Sequence, residues 1–203
     1  MTGRPAAVAP ASAPPAVGRA WRVVTVTGPE STGKSTLAAA LAGTFGGARS
    51  EEGSRRYVER RLALGLPPER ALSADHVGPI ALAQVDGEVQ AERAAAARGL
   101  PLVVRDTDLV STLVYAAHYY GERPDWLRAL AHARRADLYL LCAPDVPWVA
   151  DPARDRPHQR EALHDDFAAA LAALDCRVVP VRGDWAEREA IAAAAVRALL
   201  ADG

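Results

Sequence analysis

Val23-Val24-Thr25-Val26-Thr27-Gly28-Pro29-Glu30-Ser31-Thr32-Gly33-Lys34-Ser35-Thr36 decides how the rest of the chain is read. The first five residues are all β-branched, as in a buried strand, and Leu37, Leu41 and Phe45 then recur at the i, i+4 spacing of a helix face. The loop between them fits G-x-x-x-x-G-K-S/T, the phosphate-binding pattern, in the strand–loop–helix setting that this pattern requires. Gly28 and Gly33 allow positive φ and close backbone approach, so that successive N–H groups and the helix N-terminus face an anion. Pro29, Glu30, Ser31 and Thr32 complete the loop, Lys34 supplies a cation for the β- and γ-phosphates of ATP, and the Ser35 hydroxyl is the expected Mg²⁺ ligand, with Thr36 following.

Working outward, 203 residues with 50% hydrophobic side chains suffice for one domain with a full core. The 24 Lys and Arg nearly balance the 25 Asp and Glu, which removes the basic excess of a general nucleic-acid binder. Lys34 is the only lysine in the chain, and it stands in the loop. Cys142 and Cys176 sit in apolar runs without metal-ligand spacing and read as buried reduced thiols, in keeping with a cytoplasmic compartment. Residues 1–20 are rich in Ala and Pro and read as a disordered tail before a folded domain over 21–203. No apolar run approaches the length of a membrane span.

The spacing downstream predicts a short strand at Ala48–Ser50, a helix to about Leu64, a loop over Gly65–Pro68, and a long helix from about Ser73 to Arg98. Interruptions of that helix are expected near Gly78-Pro79 and Gly87. Leu102-Val103-Val104 reads as a buried parallel strand, followed by helices near Leu109–Tyr120 and Pro124–Arg135 and a strand at Asp137–Cys142. A proline-rich polar excursion over Ala143–His158, a helix Gln159–Leu174, a strand Arg177–Val181 and a last helix capped by Asp184 and Glu187 complete the chain. Short apolar strands alternating with helices imply an α/β fold: a P-loop NTPase with a five-stranded, parallel, doubly wound sheet. Ligands bind outside the carboxyl ends of such strands, so Gly28–Ser35, Glu52 and Asp106/Asp108 are expected to converge.

Phosphoryl transfer needs a held donor, an acid near the acceptor hydroxyl and cations over the moving group. Asp106 is placed like the Walker B aspartate that holds Mg²⁺ or its water, Asp108 is positioned to grip acceptor hydroxyls, and Glu52 is assigned as the base. Each carboxylate also suits a helix N-cap. Arg154, Arg156 and Arg160 form an arginine-rich lid over ATP, with Arg55 as a further phosphate contact. Trp148 offers a flat ring for stacking.

The loop Gly28–Thr36, Glu52-x-x-Arg55-x-Tyr57, Gln84, Asp106-Thr107-Asp108, and Pro147-Trp148-Val149 before Arg154 recur in that order. The combination resembles the nicotinamide-riboside kinase domain at the C-terminus of the bifunctional NAD-biosynthesis regulator, among the AAA-type P-loop ATPases. The resemblance spans roughly residues 22–200 and implies transfer of the ATP γ-phosphoryl to the ribose 5′-hydroxyl of nicotinamide riboside. It also implies acceptor binding by Glu52, Arg55, Tyr57, Asp106, Asp108 and Trp148. Only a short segment precedes Trp21, so the adenylyltransferase and DNA-binding parts of that protein are not expected here. In the family an aromatic residue often precedes the glutamate; here that residue is Glu51, which leaves Trp148 or Tyr57 to stack on the nicotinamide.

Two rivals differ in chemistry. Asp106-Thr107-Asp108-Leu109-Val110 fits D-x-D-x-T/V of haloacid-dehalogenase-type phosphatases, but that family carries the motif after its first strand and adds a downstream lysine, which this chain lacks. A regulatory P-loop ATPase or nucleotide switch would use the same loop without a small-molecule acceptor.

Overall fold

The computed structural model describes residues 19–65, 73–147 and 159–202. Strand β1 (Arg22–Thr27) leads through the phosphate loop into α1 (Lys34–Thr44), and β2 (Ala48–Ser50) leads into α2 (Gly53–Ala63). A single 3₁₀ turn (Ala74–His76) opens α3 (Val77–Arg98), followed by β3 (Leu102–Asp106), α4 (Leu109–Tyr120), α5 (Asp125–Ala133) and β4 (Leu138–Cys142). Helix α6 (Arg160–Ala173), β5 (Val178–Val181) and α7 (Trp185–Ala201) end the chain. The five strands are parallel in the order β2-β3-β1-β4-β5, as expected of the P-loop fold.

β1 is central, with Val26 opposite Asp106 of β3 and Thr27 opposite Leu141 of β4, so the phosphate loop leaves the middle of the sheet at its carboxyl edge. Helices packed on both faces leave the central strands no solvated side, which accounts for their unbroken apolar runs. Val24, Val26, Leu102, Val104, Leu138 and Leu140 form one core with α1 and α7, and Val23, Val103, Tyr139 and Leu141 form the other with α3 to α6. Leu37 and Leu41 are buried in the α1 core and Phe45 packs at its border, as their spacing implied.

Helix α3 is continuous through Pro79 and Gly87, contrary to the expected interruptions. Pro79 lies in the first helical turn, where the N–H it lacks has no intrahelical acceptor in any case. Gly87 lies where α2 passes over α3: a Cβ there would stand 3.0 Å from Arg56 Nη1 and 3.9 Å from the Glu51 carbonyl. The helix runs through that glycine unbroken, with the tip of the Arg56 side chain lying over it. Among the described residues, no helix is long and apolar enough to cross a membrane. Cys142 and Cys176 are free and buried, and burial pushes their thiols up to about 11 and about 12, so both are protonated at neutral pH.

Candidate active site

The loop after β1 is built on backbone conformations that few residues adopt. Gly28 has φ 130°, Ser31 φ 56° and Gly33 φ 79°. At Gly28 packing adds a second demand, since a Cβ would lie 2.7 Å from the Cys142 carbonyl oxygen of β4. The Pro29 carbonyl oxygen accepts from both Thr32 Oγ1 (2.9 Å) and Lys34 Nζ (2.6 Å), which folds the lysine back over the loop. Gly33, Ser35 and Thr36 lie on the open side.

Arg188 of α7, 1% exposed, holds the loop from behind. Its guanidinium donates to the carbonyls of Thr32 (3.1 Å), Ala143 (2.9 Å) and Gly183 (2.8 Å) and pairs with Asp145. Four acceptors on three segments make it a fixed clamp. Arg160, the first residue of α6, donates to Val146 O (2.9 Å) and Ser31 O (3.4 Å), which places it beside the loop.

Asp106 ends β3 beside this loop and accepts a hydrogen bond from the Ser35 hydroxyl. Its Oδ1 is buried without a partner. Burial, with a smaller contribution from the charge of Glu52, raises its carboxyl above the ordinary 3.8, against the opposing pull of Ser35 and Lys34. An orphaned carboxylate oxygen next to a hydroxyl is a hard-oxygen pair that fits Mg²⁺.

A cavity of about 370 Å³ opens on the β3 side of the loop, between α2, α3 and α4. Lys34 and Glu30 line its donor end, and Glu52 and Arg55 line the α2 wall. Tyr115 and Tyr119 form the α4 wall, their rings stacked at 5.8 Å and 16°. Glu52 occupies the N-cap position of α2 and accepts from Ser54 Oγ at 2.9 Å, with Arg55 Nε 4.0 Å away. Gln84 of α3 fixes this corner. It accepts from Gly53 N (2.8 Å) and donates to Thr107 O (3.2 Å) and to Glu88 (3.2 Å), which sits in a buried ion cluster with Arg105 and Arg134. Thr107 takes φ 64°, uncommon for a residue with a Cβ.

A family model described as AAA domain matches residues 23–188. The chain belongs to that AAA domain family. Within it, 133 residues are 35% identical to the trifunctional NAD biosynthesis/regulator protein NadR of Salmonella typhimurium (strain LT2), a match covering 66% of this chain and 31% of the relative. The NadR of Escherichia coli (strain K12) matches to the same extent. The chain therefore spans about a third of the length of the curated relatives it matches. A crystal structure of a NadR protein in complex with NR superposes with a TM-score of 0.68 at 29% identity, covering 86% of this chain and 51% of that one. A NadR complex with NAD and AMP-PNP gives 0.66 at 26%, covering 86% and 48%. The resemblance drawn from the motifs is thus to the same kind of protein.

Two expectations change in this AAA domain. Asp108 does not face an acceptor. It is 2% exposed and caps α4, accepting from Val110 N (2.9 Å), the Tyr139 hydroxyl (2.7 Å) and Thr25 Oγ1 (3.4 Å). The left-handed turn at Thr107 swings it inward, and burial raises its carboxyl. Tyr57 does not line the cavity; its ring tilts against His76 at 5.8 Å, with the Arg61 guanidinium 5.6 Å from its centroid, because position 57 lies on a different face of α2 from Arg55 and Val58. Tyr115 and Tyr119 supply the aromatic wall instead, at an i, i+4 spacing that the sequence carries openly. Trp148, Arg154 and Arg156 lie outside the described residues, as do most of the expected tail and most of the Gly65–Pro68 loop.

Proposed function

We propose that the chain is an ATP-dependent small-molecule kinase that transfers the γ-phosphoryl of ATP to the ribose 5′-hydroxyl of a nucleoside, with nicotinamide riboside as acceptor and nicotinamide mononucleotide as product. The observation that carries this reading is the single cavity that has Lys34 of the phosphate loop and Glu52 on its walls. An acceptor seated there meets the donor's terminal phosphate and a carboxylate in one recess. A nucleotide switch has no use for such an acceptor-sized recess between α2 and α4.

In this reading Glu52 takes the proton of the 5′-hydroxyl as its oxygen bonds to the γ-phosphorus, while the bond from that phosphorus to the β-phosphate oxygen breaks and ADP leaves. Lys34 and the loop N–H groups hold the charge that develops on the phosphates. Ser35 and Asp106 would hold Mg²⁺, whose chemistry is to neutralise charge on the β- and γ-oxygens. Arg160, with Arg154 and Arg156, is assigned to the transferring phosphoryl, Arg55 to the acceptor side, and the Tyr115–Tyr119 pair to the flat base.

Incubation with Mg-ATP and nicotinamide riboside, uridine, cytidine or thymidine, followed by mass analysis, tests the proposal. The expected result is a product heavier by one phosphoryl group and one ADP formed per product. Phosphate release with no nucleoside product would replace the kinase by a regulatory ATPase.

A further inference from the structure

We propose that Trp185 is the platform on which the purine base of the donor nucleotide stacks. The proposal rests on the reading that Gly28–Ser35 holds the phosphates of a nucleotide and that the cavity beside Glu52 takes the acceptor, whereas its test uses the nucleotide alone. The acceptor cavity lies on the β3 side of β1, and the sheet order puts β4 and β5 on the other side. A nucleotide whose terminal phosphate points at Glu52 must therefore carry its ribose and base away from the cavity, across the carboxyl ends of β4 and β5. The segment Ala143–Asp145 and the Gly183-Asp184 turn meet there, and Trp185 is the first residue of the helix that follows.

Trp185 is 40% exposed, although Ala192, Val196 and Leu199 of the same helix are buried. Its ring rests against the phosphate loop itself: a Cβ on Gly33 would stand 3.3 Å from its Cζ3. The helical turn that carries the indole is also anchored. Asp184 and Glu187 close a capping box over the first turn of α7, with Glu187 N donating to Asp184 Oδ1 (2.9 Å) and Asp184 N to Glu187 Oε2 (2.8 Å). One turn on, Arg188 ties the helix to Thr32 O of the loop. A large flat apolar surface, 40% exposed on an anchored turn beside a phosphate cradle, can stack a base without reordering the backbone that carries it.

The competing role is support of the loop through Gly33, and the two separate by ligand. Calorimetric binding of Mg-ADP and of Mg-tripolyphosphate, which has no base, is measured for the wild-type chain, Trp185→Ala and Trp185→Phe, with thermal unfolding as the check on folding. Loss of a stacking partner predicts roughly tenfold weaker Mg-ADP binding in Trp185→Ala. Tripolyphosphate binding stays unchanged, and Trp185→Phe restores most of the ADP affinity. Equal loss for both ligands, or no loss for ADP, overturns the proposal. No acceptor enters the assay, so failure of the nucleoside panel and failure of this proposal are read separately. Absence of binding by the wild-type chain to either ligand would sink both, at the phosphate loop.

Discussion

Gly53→Ala probes how tightly the proposed base is held. A Cβ at position 53 would stand 2.6 Å from Gln84 Cα, 2.7 Å from Gln84 N and 2.8 Å from Gln84 Cβ, whereas ordinary contact begins near 3.4 Å. Backbone of a 22-residue helix is on the other side, so no rotamer change relieves the overlap, and α2 must back away from α3 by the better part of an ångström. Overpacking of this kind costs about 1–3 kcal/mol, and stretching the Gly53 N to Gln84 Oε1 bond (2.8 Å) adds about 1 kcal/mol, less than the stability of a typical domain. Glu52 is the residue before the overlap and moves with it. A misplacement near 1 Å lowers turnover about 100-fold, while the phosphate loop, carried by β1 and α1, keeps its grip. The assay is kcat for nucleoside phosphorylation beside calorimetric Mg-ADP affinity, with Gly78→Ala as control, since nothing lies within 4 Å of a Cβ there. Full kcat in Gly53→Ala, or ADP affinity falling in step with kcat, would refute the claim that this glycine positions Glu52.

Lys34→Ala is expected to abolish phosphoryl transfer with the thermal unfolding midpoint nearly unchanged, because among the described residues the ammonium donates to the loop's own Pro29 carbonyl; collapse of the fold would make its role structural. Asp108→Ala strips the acceptor from the buried Tyr139 hydroxyl and the cap from α4, a loss of about 2–4 kcal/mol in denaturant titration, with Mg-ADP affinity retained. The raised Asp106 carboxyl sets a pH dependence. Its folded pKa lies above the unfolded value of 3.8, so the proton is held more tightly in the native state; the resulting stabilisation is present below 3.8 and is lost as pH rises through the folded pKa. Mg²⁺-dependent ADP affinity has the opposite slope, weakening on acidification through that raised pKa, and Glu52→Gln, by removing a like charge, moves the weakening to lower pH. An unshifted curve in Glu52→Gln would contradict the coupling.

What the sequence made legible was local. The phosphate loop is a contiguous string whose glycines, lysine and flanking periodicities each state their own requirement, and the capping box of Asp184 and Glu187 is likewise read within four residues. Misreadings arose where a distant segment reassigned a local signal. Gly87 signals a break in isolation, yet α3 runs through it unbroken. Asp108 stands two residues beyond Asp106, which in an extended strand would share its face, until the turn at Thr107 sends it into the core. Arg188 looks like any charged helix residue, since its acceptor at Thr32 lies 156 residues away. Tyr115 and Tyr119 were visible as a helical pair, but only the packing of α2 and α3 shows that a cavity faces them.

Burial sorts the three carboxylates that the sequence left with overlapping roles. Asp108 is saturated by Tyr139, Val110 and Thr25, so a proton placed on it has no path to an acceptor. Asp106 is engaged with Ser35 and presents one orphaned oxygen, the disposition of a group that a cation completes. Of the three, Glu52 is partly open to the cavity, with a side chain 27% exposed that accepts from the Ser54 hydroxyl and has Arg55 Nε 4.0 Å away. Gln84 then joins the segments of Glu52 and Asp106 mechanically, since one side chain amide bonds both the start of α2, next to Glu52, and the Thr107 carbonyl, next to Asp106. Its aliphatic replacement Gln84→Leu would free those two segments from each other, and kcat should fall while Mg-ADP affinity holds. If the two fell together, the amide would be supporting the fold rather than aligning the acids.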